Sequence, residues 1–214
     1  MSNGSKRTSH ESSMESIDHE RALGMLVDGN LRYQTGATSS SNPCPSQIDL
    51  ESGQAPFAAF IRCADSRVAP EIVFDQPLGS LFVCGVAGNI PTPEIVASLE
   101  YAVLVLGTRL IVIMGHSACG AVTAALEHPD GEIDLPGELP GLIEKIRPCT
   151  RSTPRDSESA LEHAIRKNAV SGVSELLEMS AMISKLVATR ELQIVAGIQD
   201  LKSGRFSLVK KAFD

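Results

Sequence analysis

The chain has 214 residues, 43% of them hydrophobic, and a formal net charge of −7. That is enough to bury a substantial core and short enough for one domain. The acidic balance argues against a nucleic-acid partner, since phosphate backbones are gripped by clustered Lys and Arg. No apolar run approaches the about 20 residues that a membrane helix needs, so no membrane partner is expected either.

The opening "MSNGSKRTSHESSMESIDHE" is polar where a secretion signal carries its apolar stretch, so the expected location is the cytoplasm. Residues 1–14 are expected to form a disordered tail and residues 15–214 a single domain. From about Ile17, the residues Ala22, Leu23, Met25, Leu26 and Leu31 recur at helical spacing, which predicts an amphipathic helix ending near Gly36. "ATSSSNPCPS" reads as a loop. Four apolar runs then predict buried strands: "FAAFI" (57–61), "LFVC" (81–84), "LIVIM" (110–114) and "QIVAG" (193–197). Between them lies a helix capped by Thr92, with Pro93 at its first position and closed by Gly107, and another running from near Ala118 to Pro129. Residues 130–157 read as an irregular excursion with a short helix at 140–147. From Glu158 to about Leu186 the pattern predicts two helices broken around Ser171-Gly172. The alternation gives an α/β fold with a central, mostly parallel β-sheet flanked by helices.

Five cysteines, Cys44, Cys63, Cys84, Cys119 and Cys149, are too few and too odd a set for a disulfide scaffold. Ligands of parallel α/β sheets gather where strands end and helices begin. Cys63 follows one predicted strand and His116 another. Cys119 comes three residues later in "GHSACGAV", where the first turn of a helix favours a thiolate. Each alone reads more simply as a buried thiol or a loop histidine. Together they form a Cys₂His set with one position left over, the arrangement of a catalytic zinc site. Zinc brings the pKa of its bound water toward about 7, although two thiolates counteract part of that effect. In "CADSR", Asp65 is placed to orient such a water, and Arg67 to hold the carboxylate ionised and away from the metal. If Arg67 lets go, Asp65 becomes available as a fourth zinc ligand. On its own, an exposed Asp and Arg pair would mean little.

At these residues the sequence resembles the β-class carbonic anhydrases. The resemblance rests on "CADSRVAPE" at 63–71, "GSLFV" at 79–83, "AGN" at 87–89, "SLEYAV" at 98–103 and "GHSACGAV" at 115–122, with "LVDGNLRYQTG" upstream and "DLKSG" downstream. It implies hydration of carbon dioxide to bicarbonate and a proton by attack of zinc-bound hydroxide. One zinc per subunit would be held by Cys63, His116 and Cys119, with Asp65 and Arg67 as a gatekeeping dyad. It implies that Gln54 and the backbone of Gly120 meet the substrate, and that Phe82, Ala87 and Tyr101 line a small apolar pocket. It also implies a homodimer or dimer of dimers, with the substrate cleft at the interface and the N-terminal helical arm packed on the neighbouring protomer. The alternatives on the same scaffold are a hydrolase of carbon disulfide or carbonyl sulfide and an inactive zinc-binding homologue. No nucleotide-binding glycine motif is present. Two positions depart from the pattern: Gly85 stands where an arginine is usual and Gln199 where a tyrosine is common. With no tryptophan in the chain either, shutdown through a second bicarbonate site is not expected. His10, His19, His128 and His163 fall in the tail, helices or loops, and sequence alone assigns none of them as a proton shuttle.

Overall fold

A computed structural model describes residues 17–39, 50–151 and 159–213. The expected tail at 1–14, most of the predicted loop and Cys44 lie outside the described residues. Five strands, β1 (Ala58–Arg62), β2 (Leu81–Gly85), β3 (Leu110–His116), β4 (Gln193–Gln199) and β5 (Phe206–Lys211), form one sheet in the order β2-β1-β3-β4-β5. The first three pairings are parallel and only β4 with β5 is antiparallel. Because the chain moves outward from β1 to β2 and then returns to the other side of β1 to lay down β3, the strand order reverses between β1 and β3.

The central strands are buried on both faces, which is why they read as continuous apolar runs rather than alternating ones. Along them the side chains still alternate. Phe60, Val112 and Met114 face one core with Ala22 and Leu26 of α1 (His19–Thr35), Val122 of α4 (Gly120–Glu127) and Ile143 of α5 (Leu139–Ile146). Ile61, Ile111 and Ile113 face the other with Leu99 of α3 (Pro93–Leu104), Val173 of α6 (Ala160–Met179) and Ile183 of α7 (Ala181–Ala188). A short α2 (Pro70–Val73) completes the set.

Helix α1 starts on Asp18, whose carboxylate accepts from the Arg21 amide at 2.8 Å, and stops at Gly36 in the left-handed conformation. It is clasped to its own chain. A β-carbon on Gly29 would overlap the Phe74 carbonyl oxygen. Buried Asn30 donates to the carbonyls of Val73 (3.0 Å) and Gly204 (2.9 Å) and accepts from the Phe206 amide (2.8 Å).

Three features differ from the sequence reading. Helix α6 is unbroken, and the division comes at Ser180, whose hydroxyl caps α7 by accepting from the Ile183 amide. Gly172 is small because of packing rather than chain reversal: a β-carbon there would meet Ile113 at 3.2 Å, so the glycine lets α6 lie close on β3. The strand β5 was not foreseen. It is a half-exposed edge strand with polar residues at half its positions, brought back by a turn in which Asp200 accepts from the Ser203 amide (2.7 Å) and Gly204 adopts a φ of 72°. The four-residue helix α2 was likewise unforeseen. Among the described residues no helix is long and apolar enough to cross a membrane.

Candidate metal centre

The usual place for a ligand in an open α/β sheet is outside the carboxyl ends of the strands where the strand order reverses, here β1 and β3. Cys63 comes directly after β1 and His116 is the last residue of β3. Ala118, at a φ of 55°, takes a left-handed conformation that non-glycine residues adopt at a cost and that clusters at functional sites. The following residue, Cys119, is the N-cap of α4 rather than part of its first turn. The Ala121 and Val122 amides serve its sulfur.

The three ligand atoms lie within 4.8 Å of one another, and all three residues are buried. The sulfurs of Cys63 and Cys119 are 3.9 Å apart, close to the about 3.8 Å expected for two thiolates each about 2.3 Å from a tetrahedral ion. The His116 Nδ1–H donates to the Ser117 carbonyl at 2.9 Å, which directs Nε2 inward. That Nε2 is buried and makes no hydrogen bond among the described residues. A buried imidazole nitrogen with no partner, facing two sulfurs, fits a cation.

The electrostatics agree. The hydrogen bond from the Cys119 thiol, with help from His116 and the backbone amides of Gly88 and Asp65, draws the Cys63 thiol well below its ordinary range. The Cys63 sulfur and burial push Cys119 up. Two thiolates this close repel, so such a pair keeps one proton unless a cation neutralises both. Cys84 and Cys149 are also buried, and burial pushes each thiol up, as for ordinary core cysteines.

Asp65 lies beside the cradle, with Oδ2 3.9 Å from His116 Nε2. Arg67 grips it with both arms of the guanidinium, Nε to Oδ1 at 2.9 Å and Nη2 to Oδ2 at 2.7 Å, and adds its backbone amide at 3.0 Å. This holds the carboxyl well below the usual carboxylate range.

The other expected residues are placed less compactly. Gln54 is exposed in the segment before β1, and Gly120 is exposed at the start of α4. Ala87 opens a single 3-10 turn, Ala87–Asn89. Phe82 packs into the core on the opposite side of the sheet from the one that Cys63 and Cys119 join, with the half-exposed Tyr101 ring 6.4 Å away.

Sequence reasoning missed one support of the site. Gly88, at a φ of 76°, aims its amide at the Cys63 sulfur (3.3 Å), and its carbonyl accepts from the buried side chain of Asn168 on α6 (2.7 Å). The "AGN" motif was the available signal for Gly88; nothing local marks Asn168. Asn168→Leu, which leaves that carbonyl unpaired, is expected to lower stability by about 1–3 kcal/mol. Urea unfolding reads this directly, and an unchanged midpoint would show the bond to be dispensable.

A protein-family model described as carbonic anhydrase matches residues 58–206. Carbonic anhydrase 2 of Mycobacterium tuberculosis is 37% identical over 186 residues, covering 84% of this chain and 87% of that protein. A carbonic anhydrase of Pseudomonas aeruginosa is 34% identical over 202 residues, covering 87% of each. Among solved structures, a tetrameric β-carbonic anhydrase of Sordaria macrospora superposes with a TM-score of 0.67 at 28% identity, covering 76% of this chain and 85% of that one.

Proposed function

The chain belongs to the β-class carbonic anhydrases, and on that premise we propose how its residues carry out the reversible hydration of carbon dioxide to bicarbonate and a proton. Cys63, His116 and Cys119 are the ligands of one zinc ion per subunit, which supplies Lewis-acid activation of water near neutral pH when bound. The observation that carries this assignment is the buried Nε2 of His116, which faces two sulfurs and has no hydrogen-bond partner among the described residues.

Asp65 accepts a hydrogen bond from the attacking water and orients it, since its Oδ2 faces the cradle at 3.9 Å from Nε2. Arg67 keeps that carboxylate ionised and engaged in a two-armed ion pair. Release by Arg67 would free Asp65 to become a fourth ligand and close the site. Carbon dioxide carries no charge to grip, so a dry apolar pocket with one orienting amide suffices. Gln54 supplies the amide, the Gly120 backbone approaches the substrate, and Phe82, Ala87 and Tyr101 supply apolar walls.

Because Phe82 and Tyr101 belong with the opposite core, they serve the cleft of a second copy in this reading. A homodimer or dimer of dimers is supported by the apolar outer face of α3, where Leu104 is 66% exposed and the adjoining Val105 63%. The outward Val27 and Leu31 of α1 would pack on the neighbour, while Asn30 secures the helix to its own chain. We assign residues 15–214 to one domain and the protein to the cytoplasm, in keeping with its reduced-thiol metal set.

The test is metal content together with stopped-flow hydration of carbon dioxide by the purified protein. One zinc per chain with rapid hydration is expected. Zinc without hydration would overturn the reading in favour of an inactive homologue.

A further inference from the structure

Arg62 closes β1, and its parallel neighbour on β2 is Gly85. Paired residues on adjacent parallel strands send side chains to the same face from backbones about 4.8 Å apart, so these two positions share one volume. Arg62 has taken it. A β-carbon built on Gly85 would lie 3.3 Å from the guanidinium carbon and 3.4 Å from Nε.

From that seat Nη1 donates to the Cys63 carbonyl at 2.7 Å and reaches the Asp65 carbonyl at 3.5 Å. Other polar groups of the same turn are stitched to the segment after β2. The Val86 amide donates to the Arg62 carbonyl (3.2 Å), the Ala64 amide to the Val86 carbonyl (3.1 Å) and the Gly88 amide to the Cys63 sulfur (3.3 Å). The guanidinium therefore secures the carbonyls of the turn whose amides and sulfur the neighbouring segment secures. It does so at a desolvation cost, because its Nε is buried and makes no hydrogen bond among the described residues.

We propose that Arg62 is a positioning residue for the metal centre: seated over Gly85, it clamps the Cys63 and Asp65 carbonyls and fixes the direction in which the Cys63 sulfur and the Asp65 carboxylate face the cradle. Gly85 is the vacated half of this cross-strand pair, since any side chain there would crowd the clamp. The inference rests on the reading of Cys63, His116 and Cys119 as metal ligands.

The test uses the full chain loaded with zinc or cobalt(II). Arg62→Gly is expected to weaken zinc binding about 10- to 100-fold in competition with a chelator, and to shift the thiolate-to-cobalt charge-transfer band. The double variant Arg62→Gly with Gly85→Arg returns a guanidinium to the same volume from the neighbouring strand. It is expected to recover most of the affinity and the parent spectrum. Parent-like affinity with an unshifted band in Arg62→Gly would overturn the proposal, and so would a folded double variant that recovers neither. Should Arg62→Gly fail to fold, Arg62→Lys carries the same readouts, because a lysine cannot present the planar fork. The parent is measured first: if it takes up no metal, the ligand assignment itself falls, and this proposal with it.

Discussion

Cys119→Ser and His116→Ala each remove the metal and, with it, the hydration of carbon dioxide. Each substitution takes one donor from a set that has three, and the nearest further donor, the Asp65 carboxylate, is held by Arg67. Unassisted water, with a pKa near 15.7, supplies almost no hydroxide at neutral pH, so the rate is expected to fall by at least on the order of 10³-fold. Metal analysis and stopped-flow hydration on the same preparations measure both losses. Cys84→Ala is the matched control, a buried thiol outside the cradle whose removal should leave the metal in place. A Cys119→Ser protein that kept zinc and activity would remove Cys119 from the ligand set.

Asp65→Asn separates chemistry from metal binding. Asparagine has the same shape but no charge. It can neither hold Arg67 in the present two-armed ion pair nor accept from a water as a carboxylate does. Zinc content is expected to stay at the parent level, while the rate constant for hydration falls about 10²- to 10⁴-fold, the range for losing a positioned acid–base group. Arg67→Ala should fail differently. It frees a carboxylate 3.9 Å from Nε2 to move onto the metal, so activity drops with zinc retained and the cobalt(II) spectrum shifts toward a fourth protein ligand. If Asp65→Asn kept activity within about threefold of the parent, Asp65 would have no part in the transition state.

The candidate metal ligands were legible in the sequence because the features that single them out are local. Cys63 ends a continuous apolar run, and His116 and Cys119 share one short turn at the end of another. The buried strands were legible for a similar reason: an apolar run covered on both faces keeps no polar residues to interrupt it. What escaped depended on neighbours distant in the chain. Gly172 looks like a helix breaker in isolation and becomes a packing residue only when Ile113 is placed opposite it. Asn168 supports Cys63 through Gly88, 80 residues away. Strand β5 exists because β4 offers it an edge, and its own residues, half of them polar, carry little signal. Gly85, read along the chain, is a missing arginine. Across the sheet it is the space into which Arg62 fits.

The reversal of strand order between β1 and β3 has a thermodynamic side. The two sulfurs belong to residues 56 apart in sequence, and only the pairing of the central strands brings them together. No short segment of the unfolded chain reproduces the three-donor set, so a metal held by the proposed ligands would bind the folded state almost exclusively. Its binding free energy is then added to the stability of the whole sheet: free zinc at a hundred times the dissociation constant contributes about 2.7 kcal/mol. With zinc on the proposed ligands, the melting temperature of this chain is expected to rise with free zinc, and calorimetry across a zinc titration measures it.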